Sequence, residues 1–174
     1  MIDVEQFRRI VVAPTLMACA LWSEAAERLV LGTAIAESDL RFLAQKGGPA
    51  IGLFQIEPTT ALDIRRYLME RQTSIATRIT HWVGMHGKTS IFQAPDEFLL
   101  RRLATDLELG CAFCRVKYFM KSERLPDADD IDALGAYWKK HYNTEQGKGT
   151  AAGWALAYRT AHKAFRDHQH QTGT

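Results

Sequence analysis

The stretch GPAIGLFQIEPTT, from Gly48 to Thr60, decides the fold because the helical pattern of the chain stops and restarts there. Glycines such as Gly52 free the backbone of an apolar run, and a lone glutamine, Gln55, stands inside that run. Pro58 then suits the first turn of a helix. The stretch therefore predicts a loop, with at most a short hairpin, that leads into a helix.

Outside this loop, apolar residues recur at steps of three and four, which is typical of buried helix faces. Gly32 lies inside one such pattern and indicates close packing against a neighbouring backbone. Residues 72 to 95 are ambiguous, and DHQHQTGT at the end reads as a polar tail. Helices are predicted over residues 4–12, stopping near Pro14; Thr15–Ser38, with a break near Ser23; Pro58–Arg71; 96–122; a segment after Pro126; and a segment carrying Trp154.

The bulk composition fits a single domain over residues 1–174. Hydrophobic residues make up 47% of the chain, and the formal net charge of +2 is too small to indicate a nucleic-acid-binding protein. No apolar run is long enough for a transmembrane helix, so membrane insertion is not expected. Arg8 and Arg9 before an apolar run imitate a signal peptide, but Asp3 and Glu5 do not suit one, and we interpret this segment as part of the fold.

The chain has three cysteines, Cys19, Cys111 and Cys114. An odd number gives no disulfide framework, and a single C-x-x-C without a second pair gives no zinc site. The pair also falls on the apolar stripe of a predicted helix, which favours core cysteines. The histidines of HWVGMH and HQH lack carboxylate or cysteine partners, so neither a metal nor another cofactor is predicted.

Glu37 is the candidate catalytic residue. It follows Val30 and Thr33 at helical steps, which places it on the inward face at the C-terminal end of its helix. Burial and the negative end of the helix dipole both disfavour the carboxylate, so the pKa of Glu37 should be raised, and it could donate a proton near neutral pH. The alternative is a glutamate at a frayed helix end that turns to water.

Gln55 and Gly52 are candidate ligand-binding residues. The planar amide of Gln55 carries both a donor and an acceptor, which suits the hydroxyl and acetamido groups of a sugar. Gly52 would let a ligand approach the backbone. The alternative is an ordinary glutamine in a tight turn.

Together these blocks resemble the signature of soluble lytic transglycosylases and related lysozyme-like muramidases. In that family, Glu-Ser is followed by Gly-x-x-Gly-Leu-Met-Gln-x-x-Pro-x-Thr, and a Tyr-Asn pair comes later. The resemblance covers residues 22 to 145. The matching residues here are Glu37, Ser38, Gly52, Leu53, Phe54 (in place of Met), Gln55, Pro58, Thr60, Tyr142 and Asn143.

The resemblance implies a mainly α, lysozyme-like domain whose groove is lined by a loop or small hairpin. It implies cleavage of peptidoglycan between N-acetylmuramic acid and N-acetylglucosamine. Glu37 would act as general acid and then as base, while a muramyl hydroxyl closes an anhydro ring. The implied substrate-binding residues are Ser38, Gly52, Phe54, Gln55, Tyr142 and Asn143.

Glu57 raises an alternative within the enzymes. Goose-type lysozymes carry an acid at the corresponding place, and a second carboxylate could activate water for hydrolysis. We favour the simpler interpretation that Glu57 serves the helix that Pro58 begins. Two further alternatives are structural: Tyr142 continues an apolar stripe, and Asn143 suits a left-handed helix cap.

The expected partner is the peptidoglycan glycan strand of the bacterial cell wall, reached in the periplasm. The ending around WKKHYNTEQGKGT resembles bacteriophage tail-associated lytic proteins, which implies virion delivery without a signal peptide and contacts with other virion or tail proteins. A non-catalytic virion or wall-binding protein that keeps the fold is the alternative outside the enzymes.

Overall fold

A computed structural model describes residues 2–84, 90–143 and 147–171, with side chains up to residue 162. Over these ranges the chain is mainly helical, as predicted. The elements are α1 (Val4–Phe7), a first π-helical turn (Arg8–Val12), α2 (Ala13–Ala18), α3 (Glu24–Ser38), α4 (Pro58–Arg71), α5 (Thr73–Trp82), a 3-10 turn (Ile91–Gln93), α6 (Asp96–Thr105), α7 (Leu107–Phe119), α8 (Ile131–Trp138), a second π-helical turn (Lys139–Asn143) and α9 (Ala151–Gln171).

The predicted helix end near Pro14 is wrong. The chain stays helical from residue 4 to residue 18, because Pro14 lies in the first turn of α2, where a missing N–H is tolerated. The π-helical turn before α2 keeps the backbone helical up to Pro14, since the N–H of Ala13 donates to the carbonyl oxygen of Arg8. The predicted break near Ser23 is confirmed, since the Ser23 hydroxyl accepts a hydrogen bond from the N–H of Ala26 at 3.1 Å and begins α3.

The single helix predicted over residues 96–122 is also wrong, because it is divided at Asp106. That residue takes an extended backbone (φ −102°), and its Oδ1 accepts a hydrogen bond from the N–H of Leu109 at 3.0 Å. Arg102, one turn back, pairs with the other carboxylate oxygen. Asp106 therefore ends α6 and caps α7, and α7 can turn its own apolar face to the core.

The loop before α4 contains two isolated antiparallel bridges, Ala44 with Ile51 and Ile51 with Ile56. The described residues contain no β-strand, so the hairpin is reduced to these bridges. The helix predicted from Pro58 to Arg71 is confirmed at both ends. The ambiguous region 72–95 forms α5 and the 3-10 turn, apart from residues 85 to 89, which lie outside the described ranges, and α9 extends into the predicted polar tail as far as Gln171.

The buried apolar side chains form one cluster to which the helices contribute. All three cysteines lie in it with no exposed surface, which confirms the prediction for Cys111 and Cys114. Burial raises the pKa of the thiols of Cys19 and Cys114 to about 12, so both are protonated at neutral pH. They pack as small apolar side chains.

Gly32 allows α3 to pack closely against α9. A Cβ added to Gly32 would lie 2.1 Å from Cζ2 of Trp154. The predicted close packing is confirmed, although the neighbour is an indole ring and not a backbone. Gly135 allows α8 to pack closely against α9 in the same way, because a Cβ added to it would lie 2.6 Å from the carbonyl oxygen of Ala151. Helices α3, α8 and α9 thus form the part of the core on which the candidate site is built.

Candidate active site

Glu37 lies in the last turn of α3, which ends when Asp39 takes a left-handed backbone (φ 52°). Its side chain is half-buried. The indole N–H of Trp138, at the end of α8, donates a hydrogen bond to Oε1 of Glu37 at 3.1 Å. Trp138 is itself buried, so the carboxyl group is held by a fixed donor from a neighbouring helix.

The electrostatic environment of Glu37 suits a proton donor. Burial raises its pKa to about 6, while the hydrogen bond from Trp138 and the charge of Lys117 act in the opposite direction. This agrees with the raised pKa predicted from the inward position of Glu37. A carboxyl group with this pKa is partly protonated near neutral pH, which a general acid requires.

The raised pKa of Glu37 makes the free energy of unfolding depend on pH. Because the ordinary pKa is 4.5 and the folded value is about 6, the folded protein binds more protons between these values. The stabilisation is fully present below pH 4.5 and is lost as the pH rises through 6; it is about 2 kcal/mol at most, since one pKa unit corresponds to about 1.4 kcal/mol.

Glu37→Gln, which does not titrate, should therefore gain stability relative to the wild type when the pH is raised from about 4 to about 7.5. Urea unfolding of both proteins at the two pH values measures this gain. A stability difference that does not change with pH would contradict the burial of an ionisable Glu37.

Lys117 and Tyr142 complete the surroundings of Glu37. The ammonium of Lys117 donates to the carbonyl oxygen of Tyr142 at 3.1 Å and lies 3.6 Å from the centre of the Tyr142 ring. Burial lowers the pKa of Lys117 and raises the pKa of Tyr142, and the charge of Glu37 acts upwards on both. We call Glu37, Lys117, Trp138 and Tyr142 the Glu37 cluster.

The turn at Gly52–Gln55 is joined to this cluster through its backbone. The Tyr142 hydroxyl donates to the carbonyl oxygen of Phe54 at 2.7 Å. Gln55 takes a left-handed backbone (φ 46°), and its amide donates to the carbonyl oxygen of Gly52 at 2.8 Å. Gln55 is half-buried next to Phe54, and its amide nitrogen also lies 3.5 Å from the carbonyl oxygen of Phe42.

Gly52 does not have the role predicted for it. It is buried with a left-handed backbone (φ 71°), and a Cβ there would lie 2.5 Å from the carbonyl oxygen of Leu103 in α6. Its lack of a side chain is needed for packing against α6, and the predicted approach of a ligand to Gly52 is wrong.

Three other residues predicted to contact substrate lie in the interior. Ser38 is 3% exposed, and its hydroxyl donates to the carbonyl oxygen of Ala34 at 3.0 Å. Phe54 is 1% exposed and packs 6.2 Å from the ring of Phe7. Tyr142 is buried as described above. The predictions that these side chains line a groove are therefore corrected: all three are buried within the fold.

Asn143 and Glu57 lie at the edge of the site. Asn143 ends the second π-helical turn, and its Oδ1 accepts from the ammonium of Lys139 at 2.8 Å. Its backbone is not left-handed, so the predicted left-handed cap is wrong. Glu57 is exposed just before Pro58 and makes no side-chain capping bond to α4, but its charge raises the pKa of Lys117. The charges of Glu37 and Glu57 thus both oppose the lowering of the Lys117 pKa by burial.

Sequence reasoning missed two members of the cluster, Trp138 and Lys117, and only Lys117 leaves a signal in the sequence. The signal is present in ELGCAFCRVKYF, where a lysine stands between Cys114 and Tyr118 on the apolar stripe of a helix. A charged residue at such a position is seldom buried unless it is paired. Its partners come from other elements, so the sequence alone does not show them.

Comparison of the chain with known protein families, with characterised proteins and with solved structures finds no match. Among the residues that the structure describes, His, Cys, Asp and Glu side chains form no group that could hold a metal ion. Over the same ranges, no helix combines the length and apolar character needed to cross a bilayer.

Proposed function

We propose that the protein is a peptidoglycan-cleaving muramidase, a lysozyme-like lytic transglycosylase, in which Glu37 is the general acid and then the base. The observation that carries this proposal is a half-buried carboxyl group with a pKa of about 6, held by the indole N–H of Trp138. The Glu-Ser and Gly-Leu-x-Gln blocks support it by their resemblance to that family.

In the first step, protonated Glu37 donates its proton to the glycosidic oxygen as the bond to the muramyl C1 breaks. The carboxylate that results is stabilised by the N–H of Trp138 and the ammonium of Lys117, both of which lower the pKa of Glu37. The positive charge at C1 is stabilised by the acetamido group of the substrate. A muramyl hydroxyl then attacks C1 and returns its proton to Glu37, which closes the anhydro ring.

Gln55 is the residue of the motif loop that is best placed to meet sugar. Its side chain is half-buried, whereas Phe54 beside it points into the core. One N–H of its amide is used by the carbonyl oxygen of Gly52, which orients the group. The amide oxygen can accept from an acetamido N–H or a hydroxyl group.

The water-using lysozyme is the second candidate, and the position of Glu57 is the observation that favours it. Glu57 is exposed, and its charge reaches Lys117, which also responds to Glu37. An inverting enzyme needs a second carboxylate about 6.5–9.5 Å from the acid, with water between them. Because Glu57 makes no contact that would hold it towards Glu37 in the described chain, we favour ring closure.

Glu57→Gln should accordingly change the rate of glycan cleavage by less than about twofold, because Glu57 takes no part in ring closure. Anhydro-muramyl sugars should dominate the products of both the wild type and the variant. Mass spectrometry of sugars released from purified peptidoglycan measures the products. Reducing-end muramic acid together with loss of activity in Glu57→Gln would assign the protein to the hydrolases.

A non-catalytic wall-binding or virion protein is the candidate outside the enzymes. The burial of Ser38, Phe54 and Tyr142 favours it, since these motif residues are engaged within the fold. The two proposals share the same partner, peptidoglycan glycan strands in the periplasm, and the same delivery with virion or tail proteins, which rests on resemblance. They differ in whether Glu37 is needed for glycan release.

A further inference from the structure

Arg115 is a buried cation outside the Glu37 cluster. It lies in α7, it is 9% exposed, and its Nε donates to the carbonyl oxygen of Leu21 at 3.1 Å. Its Nη1 is buried and finds no hydrogen-bond partner among the residues that the structure describes. A buried donor without a partner carries the full cost of its desolvation, so Nη1 requires an explanation.

The charge of Arg115 is also uncompensated. Burial lowers its pKa, and the groups that act against this shift are Tyr137, Cys114 and Tyr118, with no carboxylate among them in the described ranges. Other partly buried arginines do have such partners: Arg8 pairs with Glu5 and Glu27. Removing a guanidinium from water without a counter-ion is unfavourable.

The place of Arg115 in the fold leaves it close to the surface. Leu21, which accepts from Nε, belongs to the segment that leads into α3. On the other side, the Arg115 guanidinium carbon lies 5.6 Å from the centre of the Phe119 ring, and Phe119 is 38% exposed. The guanidinium is thus fixed between a backbone carbonyl and an exposed aromatic ring, while Nη1 has no partner among the described residues.

We propose that Arg115 binds a small oxyanion, a carboxylate or a phosphate group, which accepts the unused hydrogen bond of Nη1 and neutralises the buried charge. The planar guanidinium presents its donors in a fork that matches such groups. The guanidinium contacts Leu21 and Phe119, neither of which belongs to the Glu37 cluster. The proposal therefore does not depend on the proposed glycan cleavage.

The test is thermal unfolding of the full chain in sodium phosphate or in sodium acetate, with the ionic strength held constant by sodium chloride. A ligand that binds the folded state alone raises the Tm in a saturable way. We expect such a rise for the wild type and none for Arg115→Met. Because methionine removes the unpaired charge, the Tm of the variant in chloride alone should equal or exceed that of the wild type. The anion with the larger rise identifies whether carboxylate or phosphate is preferred.

Arg159→Met is the matched control, since Arg159 is paired with Asp132 at the surface and should leave the response unchanged. An equal rise in Arg115→Met and in the wild type would overturn the proposal, and so would a wild type that does not respond, because water would then satisfy Nη1. If Arg115→Met does not fold, the Nε–H resonance of Arg115 in the wild type decides: a saturable shift with either anion supports the site, and an unchanged resonance overturns it.

Discussion

Replacing Glu37 with glutamine should lower the rate of glycan cleavage by about 10²–10⁴-fold, the usual contribution of a positioned general acid. Glutamine keeps the shape of the side chain and still accepts the hydrogen bond from Trp138, but it has no acidic proton to give. Clearing of purified cell walls measures the loss. In the wild type the rate should fall as the pH rises above about 6, where Glu37 becomes ionised.

Two controls make this result specific. Wall binding by the variant, measured by co-sedimentation with insoluble peptidoglycan, should be unchanged, and its Tm at neutral pH should not fall. Glu57→Gln removes a neighbouring carboxyl group and serves as the matched variant. Clearing by Glu37→Gln at the wild-type rate would show that Glu37 is not the catalytic acid. If the wild type itself binds walls without clearing them, the wall-binding alternative is favoured.

Gly32→Ala should cause a large loss of stability, although it adds only one methyl group. The new Cβ would lie 2.1, 2.6 and 2.8 Å from three atoms of the Trp154 ring, so α3 and α9 must separate or the indole must leave its position. Overpacking of this kind costs about 1–3 kcal/mol, and occasionally more. Urea unfolding followed by circular dichroism measures the change in the free energy of unfolding.

A second substitution shows whether the clash is the cause. In a Trp154→Phe background the ring atoms nearest to Gly32 are gone, so the added methyl group should cost much less than in the wild type. This coupling is obtained from a double-mutant cycle. Additive effects of the two substitutions, or a Gly32→Ala variant as stable as the wild type, would show that the contact between α3 and α9 is looser than described.

Local signals in the sequence located several elements correctly. Pro58 begins α4, and Ser23 begins α3, because each acts on the backbone beside it. The inward position of Glu37 followed from helical periodicity, and its raised pKa followed from burial. These are effects of neighbours within one or two turns, which a single sequence contains.

The errors came from partners that are distant in the sequence. Gly52 was taken as an opening for a ligand, but the carbonyl of Leu103 from another helix fills the space. Phe54 and Ser38 were assigned to a groove because of the motif they belong to, yet their surroundings in three dimensions bury them. Asp106 is a typical capping residue, but the apolar stripe continues on both sides of it. The sequence therefore did not indicate that the long helix divides there.

The bonds that organise the Glu37 cluster also determine when it can form during folding. Trp138 and Glu37 are separated by 101 residues, and Tyr142 and Phe54 by 88. Contacts that close such long loops cost chain entropy before they contribute to stability, which slows their formation. A nascent chain that has completed α3 therefore carries Glu37 without its hydrogen-bond donor, and the carboxyl group acquires its half-buried environment only when α8 docks.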